Sequence, residues 1–215
     1  MELVIFDLDG TLIDSKRDLV CSVNAMRRHL GLPELPAELI FTYVGDGAPV
    51  LVRRALGAEA SDSLAAEGLE FFLDYYHHHL LDHTVLYPGV RETLDTIREA
   101  GIPMAVLTNK PIHPTETIIE GLGLGAHFFR VYGGNSFERK KPDPAGVLRL
   151  LEESKAQPTR TVLAGDSAVD VRTARNAGIR SAGMTYGFQP QGLAAEPPDY
   201  LLDSIDQLLP VIFGQ

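Results

Sequence analysis

The chain has 215 residues, of which 45% are hydrophobic and 22% charged, a composition typical of a globular protein with enough apolar material for a core. Its 19 lysines and arginines against 29 aspartates and glutamates give a formal net charge of −10, which argues against nucleic acid and anionic membranes as partners. A single cysteine excludes an intrachain disulfide, and the sequence contains neither a signal peptide nor 18 consecutive apolar residues, so we expect a soluble cytoplasmic protein.

Short apolar runs alternate with helical patterns along most of the chain. The runs predict strands buried on both faces, at residues 3–6, 104–107, 129–132, 161–164 and 180–184. Between them, helical periodicity with glycine or polar ends predicts helices, at residues 90–100, 144–154 and 169–177. This alternation predicts an α/β fold with a Rossmann-like open, mainly parallel sheet and helices on both faces.

Residues 16–84 interrupt the alternation. They show helical patterns and no convincing strand, the helices being expected at residues 18–30, 48–56 and 63–81. We therefore predict an α/β core formed by residues 1–15 and 85–215, with an all-helical domain of residues 16–84 inserted after the first strand.

Polar residues follow the predicted strands at the points where they end. In open α/β sheets, ligands bind beside the carboxyl ends of the strands, so these residues are candidates for one common site. They are Asp7 and Asp9, Thr108, Asn109 and Lys110, Lys141, and Asp166, Ser167 and Asp170.

The first of these groups places two carboxylates two residues apart. In extended backbone, Asp7 and Asp9 point to the same face, and Gly10 permits the turn that follows. A simple turn or a calcium-type loop is the alternative interpretation, but a calcium loop needs further oxygen ligands at alternate positions and a later glutamate, and the apolar pair Leu12 and Ile13 argues against that pattern.

The later groups add further carboxylates and a lysine. Asp166 and Asp170, placed with the first pair, form a hard-cation site that suits Mg²⁺, because so many anions could not sit together ionised without a cation. Each residue also has an ordinary structural interpretation: Asp166 or Ser167 could cap a helix, Thr108 likewise, and Lys141 could lie on the surface.

Four motifs in this order resemble those of the haloacid dehalogenase superfamily. They are DLDGT from Asp7, LTNK from Leu107, KKPDP from Lys140 and AGDSAVD from Ala164. The second aspartate, Asp9, resembles the phosphatase branch of the superfamily, and the helical insertion resembles its cap domain. Within that branch, residues 43–47 and 86–90 are similar to segments of bacterial phosphoglycolate phosphatases.

The resemblance implies a phosphatase, a phosphoric monoester hydrolase that acts through an aspartyl-phosphate. Asp7 would be the nucleophile, and Asp9 the group that protonates the leaving oxygen and then deprotonates water. Thr108 and Lys141 would complete the catalytic set by binding the phosphoryl oxygens. The substrate would be a small phosphorylated metabolite such as 2-phosphoglycolate.

The resemblance also implies Mg²⁺ as the cofactor. Asp7, the backbone carbonyl of Asp9 and Asp166 would hold the ion. Ser167 and Asp170 would support this site from outside the ligand set, with Asp170 orienting either a metal-bound water or Lys141.

Substrate binding is expected from two parts of the chain. Near the phosphate, the candidates are Thr108, Asn109 and Lys110. In the insertion, Gly45, Asp46 and Gly47 form a flexible turn before a helix, and Arg53 on that helix is a candidate for the carboxylate of the substrate.

Three alternatives stay open. Another phosphorylated substrate, such as pyrophosphate, a nucleotide or a secondary metabolite, would fit the same motifs. A phospho-accepting receiver domain also gathers acids, a threonine and a lysine at strand ends, although the helical insertion argues against it. A binding protein without turnover is the third. The sequence does not indicate the oligomeric state.

Overall fold

A computed structural model describes residues 1–214 of the chain. It divides into two compact units, one formed by Met1–Asp14 with the chain from Leu86 onward, the other by Ser15–Val85. Across the described residues, no helix has both the length and the apolar character that a membrane span requires.

Residues 1–214 contain eight strands, and six of them form one sheet. In chain order they are β1 (Leu3–Phe6), β2 (Ile13–Asp14), β3 (Val85–Leu86), β4 (Met104–Leu107), β5 (Arg130–Tyr132), β6 (Thr161–Gly165), β7 (Arg180–Met184) and β8 (Tyr200–Leu202). The six-stranded sheet has the order β5-β4-β1-β6-β7-β8, and every neighbouring pair in it is parallel. The short strands β2 and β3 form a separate two-stranded sheet.

Ten α-helices accompany the strands in residues 1–214. They are α1 (Lys16–His29), α2 (Ala37–Phe41), α3 (Ala48–Leu56), α4 (Asp62–His78), α5 (Val90–Glu99), α6 (Ile112–Gly121), α7 (Ala145–Ser154), α8 (Ala168–Ala177), α9 (Gln191–Ala195) and α10 (Leu208–Phe213). Three short 3₁₀ turns lie at Gly125–His127, Pro158–Arg160 and Ile205–Gln207. The predicted α/β fold with a parallel sheet is confirmed.

The central strands are apolar because both faces of the sheet are covered. On one face, Leu3 and Ile5 pack in a cluster with residues of α7 and α8, among them Leu150 and Ala174. On the other face, Phe6 is fully buried, and Val4 beside it is likewise inaccessible. Burial on both faces explains why β1, β4 and β6 show no alternation of polar and apolar residues.

Strand β1 lies where the direction of the chain through the sheet reverses. Later strands extend the sheet first on one side, through β4 and β5, and then on the other, through β6, β7 and β8. In open α/β sheets, this reversal opens a crevice at the carboxyl ends of the strands. The ends of β1 and β6 therefore mark the expected position of a ligand site.

The helical unit is held together by buried polar contacts as well as by apolar packing. Asp18 on α1 is 1% exposed and accepts hydrogen bonds from the N–H groups of His83 and Thr84 and from the Thr84 hydroxyl, at 3.0, 2.8 and 2.7 Å. Further along α1, the Arg27 guanidinium donates to the Pro33 carbonyl at 2.6 Å and also to the carbonyl of Ala55. These bonds join the ends of the unit and tie α1 to α3.

Candidate active site

Asp7 and Asp166 follow neighbouring strands and are brought together by the pairing of those strands. Phe6 of β1 is in register with Ala164 of β6, and the Asp7 N–H continues the pairing by donating to the Ala164 carbonyl at 2.9 Å. Asp166 comes directly after Gly165, the last residue of β6. The two carboxylates thus leave the sheet side by side at its carboxyl edge.

Lys141 lies between two carboxylates. Its Nζ is 3.1 Å from Oδ1 of Asp7 and 2.6 Å from Oδ1 of Asp170, and its side chain is 3% exposed. Burial lowers the pKa of Lys141, but the charges and hydrogen bonds of Asp170 and Asp7 outweigh burial, so the net pKa of this lysine is raised. Lys141 therefore stays charged in the site.

The pKa of Asp7 is raised to about 6, first of all by burial. The charge of Lys141 opposes this rise, and so do hydrogen bonds from the Leu8 N–H, at 2.7 Å, and from the Thr108 side chain. These three donors all point at the carboxylate, so they both orient Asp7 and favour its ionised form.

Asp166 is the more strongly perturbed carboxyl. Its pKa is raised to about 8, first by burial and then by the negative charges of Asp170 and Asp7. Backbone N–H groups of Phe188 and Gln189 act in the opposite direction by donating to Oδ2 at 2.5 and 3.2 Å. A divalent cation that binds beside this carboxyl would displace its proton, which would be released to solvent.

Gly10 and Gly187 make room for the Asp166 side chain because neither has a side chain of its own. A methyl group on Gly10 would lie 2.4 Å from Oδ2 of Asp166, and one on Gly187 would lie 2.2 Å from its Cβ. Gly10 also has a φ of +83°, which residues with a side chain rarely adopt. The turn after β1 and the loop after β7 therefore close around Asp166.

The residues after β4 reach the site in three different ways. The Thr108 side chain hydrogen-bonds Asp7, and the Asn109 amide nitrogen donates to the Lys141 carbonyl at 3.1 Å. Lys110 Nζ lies 3.0 Å from each carboxylate oxygen of Asp9. One loop thus touches the nucleophile candidate, the second aspartate and the loop that carries Lys141.

The acidic residues fit a divalent cation. One ligand atom from each of three residues lies within 4.8 Å of the others, the residues being Asp7, Asp166 and Asp170. When all are ionised, four carboxylates face two ammonium groups and two negative charges are left over, the residues being Asp7, Asp9, Asp166, Asp170, Lys110 and Lys141. A hard divalent cation that prefers oxygen ligands, such as Mg²⁺, suits this set of residues.

Two residues proposed as supports have other partners than a metal. Ser167 and Asp170 begin helix α8, where the Ser167 hydroxyl donates to Oδ2 of Asp170 at 2.6 Å. Since Oδ1 of Asp170 accepts from Lys141 at 2.6 Å, both its oxygens are engaged. Asp170 thus contacts Lys141 directly, and its role in orienting this lysine stays a prediction.

Of the four candidates of the helical unit, three share one turn and the fourth, Arg53, has partners elsewhere. Gly45, Asp46 and Gly47 precede α3 as expected, with positive φ values of 111° and 89° at the two glycines. Arg53, however, donates to the Ala60 carbonyl at 3.1 Å and pairs with Asp62, away from this turn. Arg54 instead pairs with Asp46 at 2.8 Å.

Sequence reasoning missed the aromatic residues and the loop beside Asp166. The rings of Tyr87 and Tyr186 lie 4.7 Å apart, and the Tyr186 hydroxyl donates to the Thr11 carbonyl at 2.8 Å. Burial, with Asp14 and Asp166, raises the pKa of Tyr87, so its hydroxyl keeps its proton. The available signal was position: residues 185–189 follow β7 just as the recognised motifs follow their strands.

The parallel sheet, with a cluster of carboxylates and lysines at its switch point, places this chain in the class of open α/β proteins that bind ligands at this edge of the sheet. The model of the haloacid dehalogenase-like hydrolases matches residues 4–184. The chain belongs to this family, as its four motifs predicted.

Proteins named phosphoglycolate phosphatase are similar in sequence to nearly the whole chain. A phosphoglycolate phosphatase of Vibrio vulnificus (strain CMCP6) is 40% identical, with 99% of this chain and 96% of the relative covered. One from Pseudomonas putida is 41% identical, with 97% and 78% covered. Among solved structures, a predicted phosphoglycolate phosphatase from Haemophilus somnus superposes with a TM-score of 0.93 at 32% identity, covering 98% of this chain and 97% of that one.

Proposed function

We propose that the protein is a Mg²⁺-dependent phosphatase that hydrolyses a small phosphomonoester, 2-phosphoglycolate in the first place, through an aspartyl-phosphate on Asp7. The observation that carries the proposal is the buried Lys141, which contacts Asp7 and Asp170 at 3.1 and 2.6 Å beside Asp166. The relatives named phosphoglycolate phosphatase support the choice of substrate.

In the first step, a carboxylate oxygen of Asp7 attacks phosphorus as the bond to the ester oxygen breaks. Asp9 donates a proton to that departing oxygen, so the alcohol leaves neutral. Lys141 and Thr108, which already contact the Asp7 carboxylate, would hold the phosphoryl oxygens through the same step.

In the second step, water attacks phosphorus of the aspartyl-phosphate and gives its proton to Asp9. The bond between phosphorus and the Asp7 oxygen breaks, which releases inorganic phosphate and restores both carboxyl groups to their starting states. Splitting one displacement into two lets the same pair of aspartates serve both halves of the reaction.

Asp7 and Asp166, with the backbone carbonyl of Asp9, would hold the cation. Mg²⁺ bound there would offset the repulsion between the carboxylates and the phosphate and the charge that develops on the phosphoryl oxygens. The residues of the chain meanwhile orient the nucleophile: Leu8 and Lys141 fix the Asp7 carboxylate from two sides.

Release of inorganic phosphate from a panel of phosphorylated metabolites, with Mg²⁺ and with EDTA, tests the proposal. We expect Asp7→Asn to remove turnover, and the exposed-surface control Asp74→Asn to behave as wild type. Metal-dependent turnover by Asp7→Asn would refute the nucleophile. A substrate with a much higher kcat/KM than 2-phosphoglycolate, such as pyrophosphate or a nucleotide, would refute the substrate while leaving the reaction class intact.

A further inference from the structure

We propose that Lys110 is a positioning residue that holds the carboxylate of Asp9 in place for proton transfer, and that it is not a ligand of the substrate phosphate. This inference rests on the proposed function, because it gives Asp9 the proton-transfer role stated above. It replaces the sequence-based expectation that Lys110 binds substrate.

The contact between the two side chains is symmetric and sheltered. Nζ of Lys110 lies 3.0 Å from Oδ1 and 3.0 Å from Oδ2 of Asp9. The Lys110 side chain is 5% exposed and that of Asp9 is 16% exposed, so water screens the pair less than it screens a surface ion pair. A cation that bridges both oxygens fixes the torsion that a carboxylate would otherwise sample freely.

The backbone of Lys110 is itself held firmly. Its carbonyl accepts a hydrogen bond from the Gly134 N–H at 2.7 Å, and its N–H donates to the Thr108 hydroxyl oxygen at 3.3 Å. A methyl group on Gly133 would lie 2.8 Å from the Lys110 carbonyl oxygen, and one on Gly134 2.3 Å from the Asn109 carbonyl oxygen. The loop after β5 thus packs directly on the segment that carries the lysine.

The site therefore assigns one lysine to each aspartate of the first motif. Lys141 contacts Asp7 and Lys110 contacts Asp9, although the two aspartates are only two residues apart. A separate cation for each carboxylate lets the two groups point at different atoms, the first at phosphorus and the second at the leaving oxygen. Lys110 acts on the reaction through Asp9.

Steady-state kinetics of Lys110→Met separate positioning from substrate binding. We expect kcat to fall about 10- to 100-fold, which is at most the low end of what general acid–base catalysis contributes because Asp9 itself remains, while KM and inhibition by inorganic phosphate change less than about 3-fold. The loss should be smaller with p-nitrophenyl phosphate than with an alkyl phosphate, because a good leaving group needs less help from an acid. Lys140→Met, which removes an exposed lysine, is the matched control.

The double variant Asp9→Asn with Lys110→Met gives the decisive comparison. If Lys110 works through Asp9, adding Lys110→Met to Asp9→Asn should lower kcat no further. Multiplicative losses would overturn the inference, and so would a KM increase of more than about 10-fold with kcat preserved. Because the double variant leaves no unpaired carboxylate, it decides the matter even if Lys110→Met folds poorly. A wild type that hydrolyses no phosphomonoester would instead sink the proposed function.

Discussion

Asp166→Asn should stabilise the metal-free protein while removing its response to Mg²⁺. Asparagine has nearly the shape of aspartate, and its carbonyl oxygen can accept the hydrogen bonds that Phe188 and Gln189 give to Oδ2. The substitution therefore removes the ionisable group without emptying its space. A site that is shaped for a cation carries an electrostatic cost when that cation is absent.

The size of the effect follows from the perturbed pKa of Asp166. Its pKa is about 8 in the folded protein and 3.8 for an ordinary aspartate, so at pH 7 the folded form keeps a proton that the unfolded chain has lost. At about 1.4 kcal/mol per pH unit, this difference lowers the free energy of unfolding by roughly 4 kcal/mol at pH 7.

The sign gives a pH window. Because the folded pKa is raised, the contribution of Asp166 to stability is fully present below about pH 4 and is lost as the pH rises through 8. Asparagine does not titrate, so between pH 5 and pH 7 the variant should gain about 3 kcal/mol relative to wild type. Urea unfolding in EDTA, followed by far-UV circular dichroism at both pH values, measures this gain.

Mg²⁺ provides the second arm of the experiment. At pH 7, saturating Mg²⁺ should stabilise the wild type through binding to the folded state and should have little effect on Asp166→Asn. The exposed substitution Asp74→Asn should show neither the gain nor the loss of response. If the free energy of unfolding of Asp166→Asn in EDTA, relative to that of wild type, does not increase between pH 5 and pH 7, the raised pKa of Asp166 is refuted.

Two substitutions test the packing around the site and within the helical unit. Gly10→Ala should lower the free energy of unfolding by about 1–3 kcal/mol and lower kcat at least tenfold, because the added methyl group would clash with Asp166. Gly101→Ala is the control: this glycine also has a positive φ, but a methyl group there would contact nothing within 4 Å, so the variant should keep full activity in the same assay. Asp18→Ala should lower the free energy of unfolding by about 2–4 kcal/mol, since three donors, two of them buried on Thr84, lose their acceptor. Thr84→Val should cost about 1 kcal/mol, and equal losses from the two variants would contradict this assignment.

The sheet was predictable because its strands are short apolar runs that end in recognisable polar residues. The predicted run at 104–107 coincides with β4, and the helix at 48–56 coincides with α3. Helix α6 was missed because Pro111 precedes it, Pro114 lies within its first turn, and its threonines and isoleucines are weak helix formers. Strand β8, which has three residues, was also not predicted.

The candidate site shows the same limit at the level of single contacts. Sequence order places Asp7 and Asp166 at strand ends, and parallel pairing alone brings strand ends together. Lys110 donates to Asp9, and the backbone N–H of Phe188 donates to Asp166. Both contacts depend on how the loops pack, and no local sequence pattern predicts them. Arg53 and Arg54 differ in partner for the same reason.

The position of β1 has a consequence for synthesis on the ribosome. Leu3 pairs with Thr161, so one flank of this strand stays open until about three quarters of the chain has been made. All residues of the helical unit, which ends at Val85, have been synthesised long before Thr161. Domains generally fold as units during synthesis, the N-terminal ones first. We therefore expect the helices of the inserted unit to fold before β1 can pair with β6. Pulse proteolysis of stalled nascent chains would show protection of residues 15–85 before that of residues 3–6.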